Sequence, residues 1–382
     1  MTWGRFRVFC FFTREGIMFH HHRLTVAGLS VMVLLLTVVC GLPTQQVIVV
    51  TATPPAETAV NTATAEAVQE RTPTEIEESL PTATQTAPVP PTPTTRPTKP
   101  LATPLPPQAQ CDVTEAAWVG SFGYGLNCID SKGWHTFQPS SSGLSGDQIM
   151  DIAVCSDNRA WIVSGLGLDS TDGATWMSYK DSLGYSSVKA VACDPDGGVW
   201  VAVYKGGFHF DGSEWKSYEA SLMGSGQNVD LVNDVTVAPD GSVWFITSNS
   251  VAKFDGAEWT VFETGKGFSK DYYFSAIAAD PQGNIWAAHS SGIWKYDGSN
   301  WTNIEGKNFS QVQSLAVDKN GFLWAGTYSK GLNLFNGQGW INYNRQNSGL
   351  SSNHVRALAV DGDNRIWIGT EWGLDVFDGA EW

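Results

Sequence analysis

Few side chains in this sequence are spaced for covalent chemistry. The four histidines of the C-terminal two-thirds, His135, His209, His289 and His354, have no nucleophile at a catalytic spacing and no cysteine pair at a zinc-ligand spacing. Only His289 stands where other copies of a repeat carry Ser or Thr, and as a general base it would need a carboxylate such as Glu371. Asp194-Pro195-Asp196-Gly197 lacks the further carboxylates of a calcium loop, and no metal or cofactor is expected. The cysteines do more: Cys155 and Cys193 fall at nearly the same place in adjacent repeats, as a disulfide in an oxidising compartment or as two buried thiols. Recognition chemistry is better represented. Tyr124, Tyr204, Tyr272, Tyr328 and Trp372, with Lys205, His289, Lys330 and Glu371, place flat aromatic faces beside hydrogen-bonding groups, as stacking on sugar rings or peptide side chains requires.

What must position these residues is a repeat. Val312 to Trp340 alternates apolar and polar residues between Asn-Gly and Lys-Gly turn signals, the pattern of short antiparallel strands joined by tight hairpins, four to a copy (A to D). Trp118, Trp161, Trp200, Trp244, Trp286, Trp324 and Trp367 recur 38 to 44 residues apart, each followed by a second Trp after 15 or 16 residues. Seven copies of four strands predict an all-β, seven-bladed β-propeller over residues 111–382, with the first Trp of each copy between blades and its ring N–H on a turn carbonyl. The chain stops at Trp382, where the outer strand of the seventh copy opens, so either the last blade lacks its outer strand or, the favoured expectation, the sequence is a fragment of a longer protein.

Strand order sorts the loops. The A–B and C–D turns share one face and are nearly identical between copies. The B–C and D–A connections share the other face and vary in length and residue type, and all the aromatic candidates lie there. The formal charge of −15 resides in the propeller, where 31 Asp and Glu oppose 16 Lys and Arg, many of the acids at hairpin turns such as Asp194, Asp196, Asp240, Asp255 and Asp297. These read as a solvated acidic rim, and the absence of a basic footprint excludes nucleic acid as a partner.

The N-terminal third is a different material. Residues 1–42 have the plan of an export signal or membrane anchor, with Met18 as an alternative start, a basic stretch at His20–Arg23 and an apolar run from Val26 to Val39 before Cys40. Thr37-Val38-Val39-Cys40 resembles a bacterial lipoprotein signal, which implies lipidation at Cys40 and a membrane-anchored, exported protein. Residues 43–110 are rich in Thr and Pro and read as a disordered linker.

Ser351 to Trp382 and Val312 to Gly337, with the pattern Asp-x-x-Gly, Trp-Ile-Gly-Thr, Gly-Leu and Phe-Asp-Gly, resemble the two-component regulator propeller repeat. That resemblance implies an extracellular sensor or recognition propeller in signal transduction and brings no catalytic residues. The expectation is a surface-tethered, non-catalytic module that binds a glycan, peptide or protein ligand of the envelope. The alternative is a lyase, since streptogramin lyase is a propeller with similar Trp-bearing repeats.

Overall fold

The computed structural model describes residues 110–113, 116–184, 187–224, 231–263, 273–290, 292–304 and 311–382, together with the backbone of 9–10 and 102–104. The rest of the expected export segment, Cys40 and most of the 43–110 linker lie outside the described residues.

Seven small antiparallel sheets form the ring. Blades three to six each have four strands in sequence order, as in Val188–Cys193, Val199–Val203, Gly206–Phe210 and Trp215–Glu219 of blade three. Blade seven has three, Val355–Val360, Ile366–Thr370 and Gly373–Phe377. Two N-terminal pieces join the sheets. Phe9–Cys10 runs parallel to Ala117–Ser121 at the inner edge of blade one, and Ala102–Pro104 pairs with Thr175–Ser178 as a fifth strand outside blade two.

Tryptophans of the B strands fill the spaces between blades, as expected. Trp200 packs on Phe245 and Phe254 of the next blade, Trp244 on Tyr296 and Trp301, and Trp324 on Phe377. Four of their ring N–H groups find a carboxylate rather than the expected turn carbonyl, and that of Trp244 finds the Ser242 hydroxyl. Trp200, Trp286, Trp324 and Trp367 donate to Asp194, Asp280, Asp318 and Asp361, six residues earlier, at 2.8–3.2 Å. The other oxygen of each of these aspartates accepts amide hydrogens of the A–B turn, for example those of Gln282 and Asn284 on Asp280. One side chain therefore closes the hairpin and anchors the core. Of the acids expected on a solvated rim, Asp194 is half-buried, and its counterparts Asp280, Asp318 and Asp361 are buried, because both carboxylate oxygens have protein partners. Asp196 and Asp240 of the A–B turns and Asp255 and Asp297 of the C–D turns are exposed, as expected of a rim; Asp255 accepts from the amides of Ala257 and Glu258 and the following Gly256 takes φ +99°. A Cβ at Gly256 would meet open space, so the constraint there is backbone conformation alone.

Cys155 occupies the place of that aspartate in blade two, and it is joined to Cys193 of blade three. A second disulfide joins Cys111 to Cys128 within blade one.

Each inner strand from blade two to blade seven carries a one-residue bulge at its second residue, between Ile149 and Asp151 in blade two and between Val355 and Ala357 in blade seven. The next residue alternates round the ring: Asp151, Ala190, Asp234, Ala276, Ser314, Ala357. Asp151 accepts from the amides of Ile152 and, across the blade boundary, Val191; Asp234 accepts from Val235 and Ile277; Ser314 accepts from Leu358. Blades two and three, four and five, and six and seven are thus tied in pairs by buried side-chain acceptors.

Candidate functional site

The bulges decide what projects toward the mouth of the ring on the variable face. A bulge releases its extra residue from the ladder and re-aims its side chain. Here the released residues are Met150, Lys189, Asn233, Ser275, Gln313 and Arg356. Two of them reach the next inner strand, Asn233 to the carbonyl of Phe274 and Ser275 to that of Val312. Around them lie exposed side chains of the B–C and D–A connections. Of the nine exposed large hydrophobic residues among the described residues, six are on this face: Tyr124, Leu166, Tyr204, Tyr273, Tyr328 and Trp372. Backbone hydrogen bonds hold them. The amide of Tyr204 donates to Ser187, that of Tyr328 to Gln311 and that of Glu371 to His354, which ties each B–C turn to the residues entering its inner strand.

The candidates fare differently. Tyr124, Tyr204, Lys205, Tyr328, Lys330 and Trp372 are exposed on this face, and Tyr272 lies outside the described residues. His289 is buried in blade five, its ring 4.8 Å from Phe274, because it takes the strand-end position that Ser164, Thr247, Thr327 and Thr370 hold elsewhere. Glu371 stands in blade seven, and the structure brings to it His354 rather than His289, with Nδ1 3.6 Å from its carboxylate.

The blade six–seven sector is the most developed part of the mouth. Tyr328 lies against the His354 ring at 4.3 Å, and the Arg345 guanidinium sits 4.1 Å over the exposed Trp372 ring. Arg356, the bulge residue of blade seven, is buried beside them. Burial holds its pKa below the usual arginine range, with Glu371 and Tyr328 opposing. Burial also lowers the pKa of His354, the Arg356 charge adds to this, and Glu371 acts the other way. The histidine Nε2 is buried and without a hydrogen-bond partner. The sector therefore offers a fixed cation, a largely neutral imidazole and two exposed ring faces.

His354, Arg356 and Arg345 are not singled out by sequence reasoning. For Arg356 the signal was present: aligned inner strands show a second position, after an apolar first residue, that changes from Met to Lys, Asn, Ser, Gln and Arg. For Arg345 there was none, since only the folded ring brings it over Trp372.

Among solved structures the chain is similar to the extracellular domain of the hybrid two-component system BT3049 from B. thetaiotaomicron, at 20% identity and TM-score 0.57, over 74% of this chain and 42% of that one. It is also similar to that of BT4673 from the same organism, at 17% identity and TM-score 0.54, over 73% and 39%. A streptogramin B lyase matches at 11% identity and TM-score 0.58, over 69% and 89%. The chain thus spans about two fifths of the length of the sensor ectodomains it matches. No curated protein matches it. Residues 306–329 and 349–372, which include the B–C turns bearing Tyr328 and Trp372, match the model of the two-component regulator propeller. In these two segments the chain carries repeats similar to the two-component regulator propeller.

Proposed function

We propose that this propeller is an exported recognition or sensor module that binds an extracellular ligand, a glycan, peptide or envelope component, at the mouth of its variable face. One observation carries the reading: exposed aromatic and apolar side chains from blades one, two, three, five, six and seven converge on that face, while the opposite face repeats one turn chemistry. Exposed rings so grouped suit stacking and are uncommon without a partner to cover them. The similarity to sensor ectodomains supports the same reading. Two disulfides and the apolar run before Cys40 favour an oxidising, extracytoplasmic address with a lipid tether at that cysteine. Tyr124, Tyr204, Lys205, Tyr328, Lys330, Glu371 and Trp372 are the contact residues of this proposal. A glycan and peptide array tests it with the full chain and a Tyr204→Ala/Tyr328→Ala/Trp372→Ala variant. Binding that is lost in a variant of unchanged thermal stability is expected, and binding that survives would contradict the assignment.

A lyase is the second reading, favoured by the proximity of Glu371 and His354 at the mouth. It requires turnover that His354→Ala abolishes while ligand binding persists.

A further inference from the structure

We infer that the blade one–two sector of the mouth is a subsite for a basic side chain of a peptide, with Asp147 as its counter-charge, the Tyr124 ring as the face that takes the cation and Leu166 as the rest for its methylene stem. The inference deepens the proposed function and rests on the mouth being the binding face. Backbone hydrogen bonds build the sector. The amides on both sides of Tyr124, those of Gly123 and Gly125, donate to the Asp147 carbonyl at 3.0 Å, which folds the B–C turn of blade one onto the strand entry of blade two. The B–C turn of blade two closes on the next residue, with the Gly165 amide 2.8 Å from the Gln148 carbonyl. Glycine permits these close approaches: a Cβ at Gly146 would come 3.3 Å from Leu166 Cγ, and one at Gly165 would come 3.2 Å from Gln148 Oε1. Tyr124, Asp147, Gln148 and Leu166 are thereby brought to one place from two blades, and all four are exposed.

Charge and the example of other blades select the ligand. Trp372, at the B–C turn of blade seven, already carries a cation of the chain, the Arg345 guanidinium 4.1 Å over its ring, and Lys253 and Lys295 lie over Trp244 and Trp286. Among the described residues no cation covers Tyr124 and none pairs with Asp147. Lys180, beside Gly167 of blade two, acts on the buried Asp169 instead. An aromatic face next to an unpaired carboxylate attracts a cation twice, through the ring quadrupole and through the opposite charge. The formal charge of −15 draws cations to the molecule and repels anions. The Gln148 side-chain oxygen is a further acceptor for the N–H groups of the cation. Leu166, 48% exposed, offers apolar surface to the methylene chain of a lysine or arginine, which an amino sugar lacks.

Calorimetric titration of the full chain tests this with two matched pairs: N-acetyl-glycyl-lysyl-glycinamide against its norleucine analogue, and N-acetyl-glycyl-arginyl-glycinamide against its citrulline analogue. At least one cation is expected to bind about tenfold or more tighter than its neutral partner. Asp147→Asn should erase that preference, and Asp196→Asn on the opposite face should leave it intact. Tyr124→Ala should weaken binding of the cation about threefold, while Tyr124→Phe, which keeps the ring, should not. The Asp147 side chain takes part in no hydrogen bond among the described residues, so a thermal melt of Asp147→Asn should match the parent. Equal binding of cation and neutral partner, preference retained in Asp147→Asn, no binding of either cation, or glucosamine preferred over N-acetylglucosamine by the same factor would each overturn the inference. In any of those cases, array binding that still disappears in the Tyr204→Ala/Tyr328→Ala/Trp372→Ala variant leaves the mouth as the binding face and removes only the basic peptide. Array binding unaffected by that variant removes both.

Discussion

The two faces of the ring are built from the same strands but obey different rules. On the turn face, one aspartate recurs at the end of the inner strand and serves two structural ends, closing the A–B hairpin and accepting the Trp ring N–H. A second recurs at the C–D turns and caps them, with Asn336 in its place in blade six. On the mouth face, the backbone is equally regular, with a bulge in every inner strand from blade two onward and a hydrogen bond from each B–C turn to the strand entry, but the side chains differ from blade to blade. Where a side chain completes the backbone's hydrogen bonds, the repeat fixes its identity. Where the backbone completes itself, the side chain is free to vary, and that is where binding can be built.

The largest effects are expected from breaking the buried acceptors that tie blades together. Asp234→Ala strands the amides of Val235 and Ile277 in a buried setting and should cost about 2–4 kcal/mol, read as a shift in the denaturation midpoint. Ala276→Gly, at the same register position in blade five, removes no acceptor and should cost far less. Replacing Cys155 and Cys193 by alanine opens a loop with a sequence separation of 38 and should cost about 2–4 kcal/mol, an effect that vanishes when the parent chain is measured under reducing conditions.

Substitutions on the mouth face should reverse that profile. Tyr204→Ala, Tyr328→Ala and Trp372→Ala remove exposed rings and should each change stability by no more than about 0.5 kcal/mol, while abolishing ligand binding in combination. A stability loss as large as that of Asp234→Ala would mean that these rings seal the fold.

The smallest effect concerns pH. Asp375 bonds to Ser351 through both its amide and its hydroxyl, yet burial raises the Asp375 pKa above the ordinary carboxylate range. Folded protein therefore holds the proton more tightly than unfolded chain. The residue's contribution is present below the ordinary range and is lost as pH rises through the raised value. Asp375→Asn should gain in melting temperature relative to the parent across that interval. Asp211 on the turn face has the opposite sign: hydrogen bonds from Glu214 and Ser213 hold its pKa down to about 2, so its contribution is present above the ordinary range and fades as pH falls toward that value.

The architecture was legible because it rests on what repeats: the Trp pairs, the Asp-Gly turns and the alternation between them. The inter-blade role of the Trp residues followed from the same pattern. Their hydrogen-bond partner did not, because an aspartate at a turn reads as exposed until the ring folds over it, as Asp318 illustrates. The candidate site was legible by halves. Tyr328, Glu371 and Trp372 stand out by contrast with the same position in other copies, and the fold brings them into one sector. His289 also stood out by contrast, but its departure from Ser or Thr is absorbed by packing on Phe274. Arg345 over Trp372 joins residues of neighbouring blades, and spacing along one repeat carries no information about that contact.

Hydrogen exchange with and without a ligand found on the array tests the central claim most directly, since it reports where the ring is covered. Slower exchange is expected in the amides of 327–332, 353–357 and 370–374, around Tyr328, His354 and Trp372, with the A–B and C–D turns unchanged. Protection confined to those turns, with the mouth unaltered, would contradict the account.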